Sequence, residues 1–168
     1  IFDTSHQKRI FAKFEFDLTK DQNKSLNEIN FDLKSSQKMF RLLQGDVGSG
    51  KTIVSLLAAF NSINSGFQVA VMAPTEILAR QHYSLAKKIF PKEFNIELIS
   101  SKLDYTCKRN ILNNLSKKKI DIIFGTHAIF QKKVIFDKLG LIIIDEQHKF
   151  GVNQRKKLSD KGGNDCDV

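Results

Sequence analysis

Three glycines, a lysine and a threonine stand together in Gly45-Asp46-Val47-Gly48-Ser49-Gly50-Lys51-Thr52. A glycine, four residues, a second glycine, then lysine and a hydroxyl residue is the spacing of a phosphate-gripping loop. Phosphate oxygens are densely charged, and backbone N–H groups reach them only where the chain comes close. Gly45, Gly48 and Gly50 lack the Cβ that would forbid the angles this needs. The helix expected to open at Gly50 turns its positive end to the same oxygens. Lys51 brings a point charge to the β and γ phosphates, and the Thr52 hydroxyl is placed to ligate Mg²⁺. The competing reading is a plain turn between a strand and a helix. The flanks argue against it: Leu42 and Leu43 read as the end of a buried strand, and 53–60 as an apolar helix.

A second candidate lies a hundred residues on. Asp145 and Glu146 follow the apolar run 139–144. After a strand, such a pair is half of a nucleotide hydrolase: Asp145 to hold Mg²⁺, Glu146 to orient and deprotonate the attacking water. On its own the pair carries little, and Glu146 can equally be a helix N-terminal charge. Beside the phosphate loop in one sheet, it carries much more.

The elements that must position both motifs alternate along the chain. Apolar strands are expected at about 40–44, 68–73, 95–99, 121–124 and 139–144. Helices are expected from Thr19, after the phosphate loop, over 76–90 and over 104–118, with a short one after Gly125-Thr126. Thr19 and Gln22 have the spacing of a capping box, and Pro91 closes the third helix. Alternating strands and helices predict an α/β fold, a mostly parallel sheet with helices on both faces. In an open parallel sheet, ligands bind at the carboxyl ends of strands. Gly45, Pro74, Gly125 and Asp145 all follow strands and are therefore expected on one rim.

The bulk properties fit a globular domain with a polyanionic partner. The chain has 168 residues, 41% hydrophobic and 27% charged, with a net charge of +9. That excess suits nucleic acid, although a solvated lysine-rich surface explains it equally well. Cys107 and Cys166 are far apart, and the four histidines show no metal-ligand spacing with them. This suggests a reducing, cytoplasmic compartment without structural zinc. No run approaches the ~20 apolar residues of a membrane span. Residues 1–17 read as an entry segment from a preceding domain, and both ends look cut.

Asp145-Glu146-Gln147-His148 resembles the DEAH-like box of superfamily 2 helicases. Together with the phosphate loop, Ala73 to His82, Gly125 to Gln131, and Gly151, Val152, Gln154 and Arg155, it resembles the RecG family of bacterial branched-DNA helicases from about Phe16 to Gly163. The Gln-His pair before Phe150-Gly151-Val152 favours that family over the related transcription-repair coupling factor, and the primosomal helicase PriA is more distant.

The resemblance implies a RecA-like P-loop NTPase domain over 18–168, using ATP and Mg²⁺ to remodel branched DNA in repair and recombination. By the same resemblance, Gln22 would read adenine. Gly45 and Gly48, Ser49, Gly50, Lys51 and Thr52 would hold the phosphates, and Thr52 and Asp145 the metal. Lys51, Asp145 and Glu146 would serve hydrolysis. His148, with Gln147, would join the nucleotide site to the partner domain and DNA. Pro74, Thr75, Gly125 and Thr126 would touch the DNA backbone.

The lysine clusters at 117–119, 132–133 and 156–157 are either contacts or solvated faces. Ile99-Ser100-Ser101-Lys102 departs from the glycine-containing turn the family carries, and the Ser/Thr-Ala-Thr motif is not reached. A second RecA-like domain with its arginine finger and an upstream wedge domain are expected elsewhere in the polypeptide, so the fragment alone would hydrolyse ATP slowly. The alternatives are an ATP-gated nucleic-acid clamp that does not move and, less well, a metabolic phosphotransferase.

Overall fold

The structure is a computed structural model that describes residues 17–35, 37, 39–46, 50–146 and 166–168. The expected entry segment, apart from Asp17, lies outside them.

Helix α1 spans Lys20–Lys34 and opens on the expected capping box. Thr19 Oγ1 accepts from Gln22 N at 3.2 Å, and Gln22 Oε1 accepts from Thr19 N at 2.9 Å. Its buried Leu26 and Ile29 face α2, Lys51–Asn64. Helix α2 is apolar on nearly every side because it is enclosed on every side, by α1 above and the sheet below.

Strands β1 (Gln68–Met72), β2 (Ile96–Leu98), β3 (Ile122–Gly125) and β4 (Leu139–Ile144) form one parallel sheet in the order β2-β3-β1-β4. β1 is central, with Met72 opposite Gly125 on one side and Ile144 on the other. All five of its residues are buried, the mark of a strand covered on both faces. The pleat sends alternate side chains to opposite faces. Val69 and Val71 join the core under α1, α2 and α3, the last spanning Glu76–Ile89. Ala70 and Met72 join the other core with Leu115 of α4 (Tyr105–Ser116) and Ile129 of a 3-10 turn, His127–Phe130. This is the layering expected from the alternating elements, a parallel sheet with helices on both faces.

One expectation fails. Residues 39–46 carry no strand, and Phe40 and Leu42 are 65% and 63% exposed. The apolar run Met39-Phe40-x-Leu42-Leu43 buries only Met39 fully, while Leu43 leans against the core. A strand needs a partner along its length, and the described chain offers this stretch only a short one. Arg41 N donates to Val168 O and Val168 N to Met39 O, both at 3.0 Å. Asp167 meanwhile bridges to Leu141 of β4, so 166–168 lie between β4 and 39–41.

Candidate nucleotide site at the carboxyl rim

Of the four α-helices among the described residues, three begin on a side-chain cap: Thr19 for α1, Thr75 for α3 and Asp104 for α4. Helix α2 begins on Gly50, which offers no side chain, and has no acidic residue in its first turn. The first N–H groups of a helix have no partner inside it, and its amino end carries partial positive charge. The other helices answer that end with the oxygen of their own N-cap side chain, and Gly50 has none to offer α2.

Gly50 holds φ +78°, a left-handed angle that costs a residue with a Cβ about 1–2 kcal/mol. A Cβ there would also strike the Nε2 of Gln22 and lie 3.3 Å from its Cδ. Gln22 therefore works in two places: its oxygen closes the α1 cap, and its amide end rests on the phosphate-loop glycine. Lys51 folds back over the loop, with Nζ donating to Gly45 O and, at 2.9 Å, to Asp46 O. Thr52 follows in the first turn of α2, half-buried. Gly48 and Ser49 lie outside the described residues.

The acidic pair closes the same rim. Asp145 N donates to Met72 O at 2.8 Å, which ties the end of β4 to the end of β1. The Asp145 carboxylate takes a hydrogen bond from His82 of α3, Nε2 to Oδ2 at 2.7 Å. That bond holds the acid below the usual aspartate range. Burial opposes the shift, while the charges of His82 and Lys51 add to it. Asp145 therefore stays a carboxylate, and the Lys51 ammonium is near enough to act on it. Glu146 turns the chain with φ +51°, an angle uncommon for a residue with a side chain. His148 and Gln147 lie outside the described residues.

Two further loops reach this rim. Thr75, exposed, caps α3 by accepting from Leu78 N at 3.3 Å, with Pro74 just before it. Gly125 ends β3 and accepts from Ala73 N at 3.0 Å, and Thr126 precedes the 3-10 turn. Glu76 then accepts from Ser101 N, tying the Pro74-Thr75 loop to the turn after β2. That bond is the first cause of a Glu76 carboxyl lowered from the ordinary glutamate value.

The structure thus brings Gln22, Gly45, Gly50, Lys51, Thr52, Pro74, Thr75, Gly125, Thr126, Asp145 and Glu146 to one rim. Sequence reasoning gave His82 no role. Its signal was there: it shares a helix face with the buried Ala79, Ala86 and Ile89, an imidazole where an apolar residue is the norm.

The donor set fits a magnesium nucleotide. It offers an uncapped helix end, an ammonium in the loop, a hydroxyl in the first helical turn and a carboxylate kept ionised. Among the described residues no three His, Cys, Asp or Glu side chains converge to hold a metal. A cation here would share the phosphates, as Mg²⁺ habitually does.

The family model described as DEAD/DEAH box helicase matches residues 19–164. The chain is 51% identical over 149 residues to the ATP-dependent DNA helicase RecG of Streptococcus pneumoniae, covering 89% of this chain and 22% of that protein. It is 48% identical over 155 residues to RecG of Borreliella burgdorferi, covering 92% and 23%. The chain thus spans under a quarter of the length of these relatives. A solved structure of RecG bound to a three-way DNA junction superposes with a TM-score of 0.84 at 40% identity, over 90% of this chain and 21% of that one. The DEAD-box helicase Mss116 bound to single-stranded RNA shares the fold, with a TM-score of 0.73 at 21% identity over 96% of this chain and 37% of that one.

Proposed function

The chain belongs to the DEAD/DEAH box helicase family, and from that premise we propose that it is the first motor domain of an ATP-driven DNA helicase remodelling branched DNA. One observation carries the reading: the lysine of an uncapped phosphate loop and an ionised aspartate at a strand end face each other across one rim. That is the arrangement needed to grip a triphosphate between a cationic loop and a metal-holding carboxylate. The similarity to RecG, including the form bound to a DNA junction, supports branched DNA as the substrate.

In this reading the first N–H groups of α2 and the Lys51 ammonium bind the β and γ phosphates. Lys51 leaves the carbonyls of Gly45 and Asp46 to do so. Thr52 and Asp145 hold Mg²⁺, with Gly48 and Ser49 completing the phosphate grip. The metal, when bound, would neutralise charge developing on the phosphate oxygens. Glu146 orients the attacking water and takes its proton. Gln22 reads the base from its position over Gly50, and His148 and Gln147 link the site to a second RecA-like domain. Pro74, Thr75, Gly125 and Thr126 offer N–H and hydroxyl groups to DNA phosphates, contacts that position a strand without reading its sequence. Residues 18–168 form the domain, and 1–17 enter it from a preceding one. The likeness to RecG of two bacteria supports a bacterial cytoplasm as the setting. No helix among the described residues is long and apolar enough to cross a membrane.

The test is DNA-stimulated ATP hydrolysis by the protein as its gene encodes it. Lys51→Ala should lower the stimulated rate on the order of 10²–10³-fold, the usual cost of removing one preorganised charge stabiliser. An unchanged rate would end the motor reading.

A further inference from the structure

We infer that His82 is a positioning residue for the metal-holding carboxylate, fixing Asp145 in one rotamer from the neighbouring helix. The inference deepens the motor reading and rests on it.

Three anchors converge on Asp145. Its backbone N–H is bonded to Met72 O of β1. Its chain neighbour Ile144 is paired across from Met72 in the sheet. Its side chain is bonded to His82 Nε2 at 2.7 Å. A carboxylate only accepts, so Nε2 carries a proton and donates it. The imidazole is 12% exposed at the side chain and the carboxylate 32%. The bond is thus partly shielded from the water that would otherwise compete for both groups.

One oxygen of Asp145 is committed to the protein, and the torsions of the side chain are no longer free. A cation arriving with the nucleotide meets a ligand already oriented. Metal-ligating groups are commonly held this way by a second hydrogen bond, and loss of that partner typically costs about 10–100-fold in metal affinity or activity.

The helix carrying His82 gives the contact a rigid base. Thr75 caps α3 at its amino end, Glu76 pins its first turn to Ser101, and Ala79, Ala86 and Ile89 bury its inner face. His82 stands on that same inner face. The bland alternative is a core-facing histidine that has found an acceptor. It predicts a general loss of packing on substitution, whereas a positioning role predicts a loss confined to the metal-dependent part of binding.

The experiment titrates a fluorescent ATP analogue against the protein as its gene encodes it, across a Mg²⁺ series and in EDTA. The forms compared are wild type, His82→Ala, His82→Gln and Lys51→Ala. His82→Ala should raise the Mg²⁺ concentration for half-maximal binding by about 10–100-fold and leave binding in EDTA unchanged. His82→Gln, whose Nε2 donates over a similar reach, should recover most of the loss. The inference is overturned if the Mg²⁺ midpoint of His82→Ala is that of wild type. It is also overturned if binding falls equally in EDTA, or if glutamine does no better than alanine. The Lys51→Ala arm, read by DNA-stimulated hydrolysis, separates the two ideas. If that rate is unaffected, the motor reading fails. If it collapses while His82→Ala keeps the wild-type midpoint, only the role of His82 fails.

Discussion

The two rims of the sheet are built by opposite rules. At the amino rim, Gln68 opens β1 with 1% of its surface exposed. Its Nε2 donates to Leu115 O and Ile120 O, both at 2.9 Å, and its Oε1 accepts from Asp137 N at 2.9 Å and Lys138 N at 3.0 Å. One amide stitches the end of α4, the entry to β3 and the entry to β4 around the central strand. On the face of the sheet that Val69 and Val71 take, Phe60, Phe90 and Phe94 pack edge to face, with ring centroids 5.5–6.3 Å apart. At the carboxyl rim the polar groups turn the other way. An uncapped helix end, an ammonium resting on loop carbonyls and an ionised aspartate face outward. The amino rim closes its hydrogen bonds on a buried amide, and the carboxyl rim makes its own on groups that stay partly exposed. A parallel sheet allows this because its strands all point one way, so loops of one kind collect at one rim.

Breaking Gln68 should show the contrast most strongly. Gln68→Ala takes the side-chain partner from Ile120 O, Asp137 N and Lys138 N, while Leu115 O keeps Lys118 N. Each buried orphan costs ~1–3 kcal/mol, so stability in urea should fall by about 2–4 kcal/mol after partial rescue by water. Nucleotide affinity of the folded fraction should be unchanged, and a matching loss of affinity would show the rims to be coupled.

Two glycines sharpen the comparison. Gly140 sits where the register of β4 shifts against β1, and a Cβ there would lie 2.6 Å from the Phe67 ring and Cβ. Gly140→Ala should cost about 1–3 kcal/mol by overpacking and spare the site. Gly50→Ala meets both a positive φ and the Gln22 amide. It should cost a similar ~1–2 kcal/mol of stability and, unlike Gly140→Ala, weaken nucleotide binding in the surviving fold. Equal effects of both substitutions on binding would erase the distinction.

The smallest effect belongs to Glu76, whose carboxyl titrates below the ordinary glutamate value because Ser101 N–H bonds the charged form. A lowered folded value means the stabilisation is present above the unfolded carboxyl range and is lost as pH falls through the folded one. Glu76→Gln should therefore be less stable than wild type near neutrality, with the gap closing in acid. A gap independent of pH would mean that the carboxylate charge is not what joins the two loops.

Much of this was legible in the sequence, and the reasons are local. The helix over 20–34 announced itself through Thr19 and Gln22, because a capping box is a contact between residues three apart. β1 and β4 were legible because strands buried on both faces are continuous apolar runs. The glycine motif drew notice because Gly45, Gly48, Gly50 and Lys51 stand within eight residues. The stretch 40–44 misled for the same reason: its apolar residues have a strand's composition, but a strand is completed by its neighbours, and Phe40 and Leu42 stand exposed.

The sequence by itself determined the parts list: a cationic glycine loop, an acidic strand end, and alternating elements that force a parallel sheet. Only the tertiary structure decided the pairings between distant residues. Gln22 lies over Gly50, His82 holds Asp145 across 63 positions, and Gln68 gathers loops up to 70 residues away. Periodicity and spacing report which face a side chain takes. Which group waits on that face depends on how the strands are ordered, and that order is set by the burial of the whole sheet.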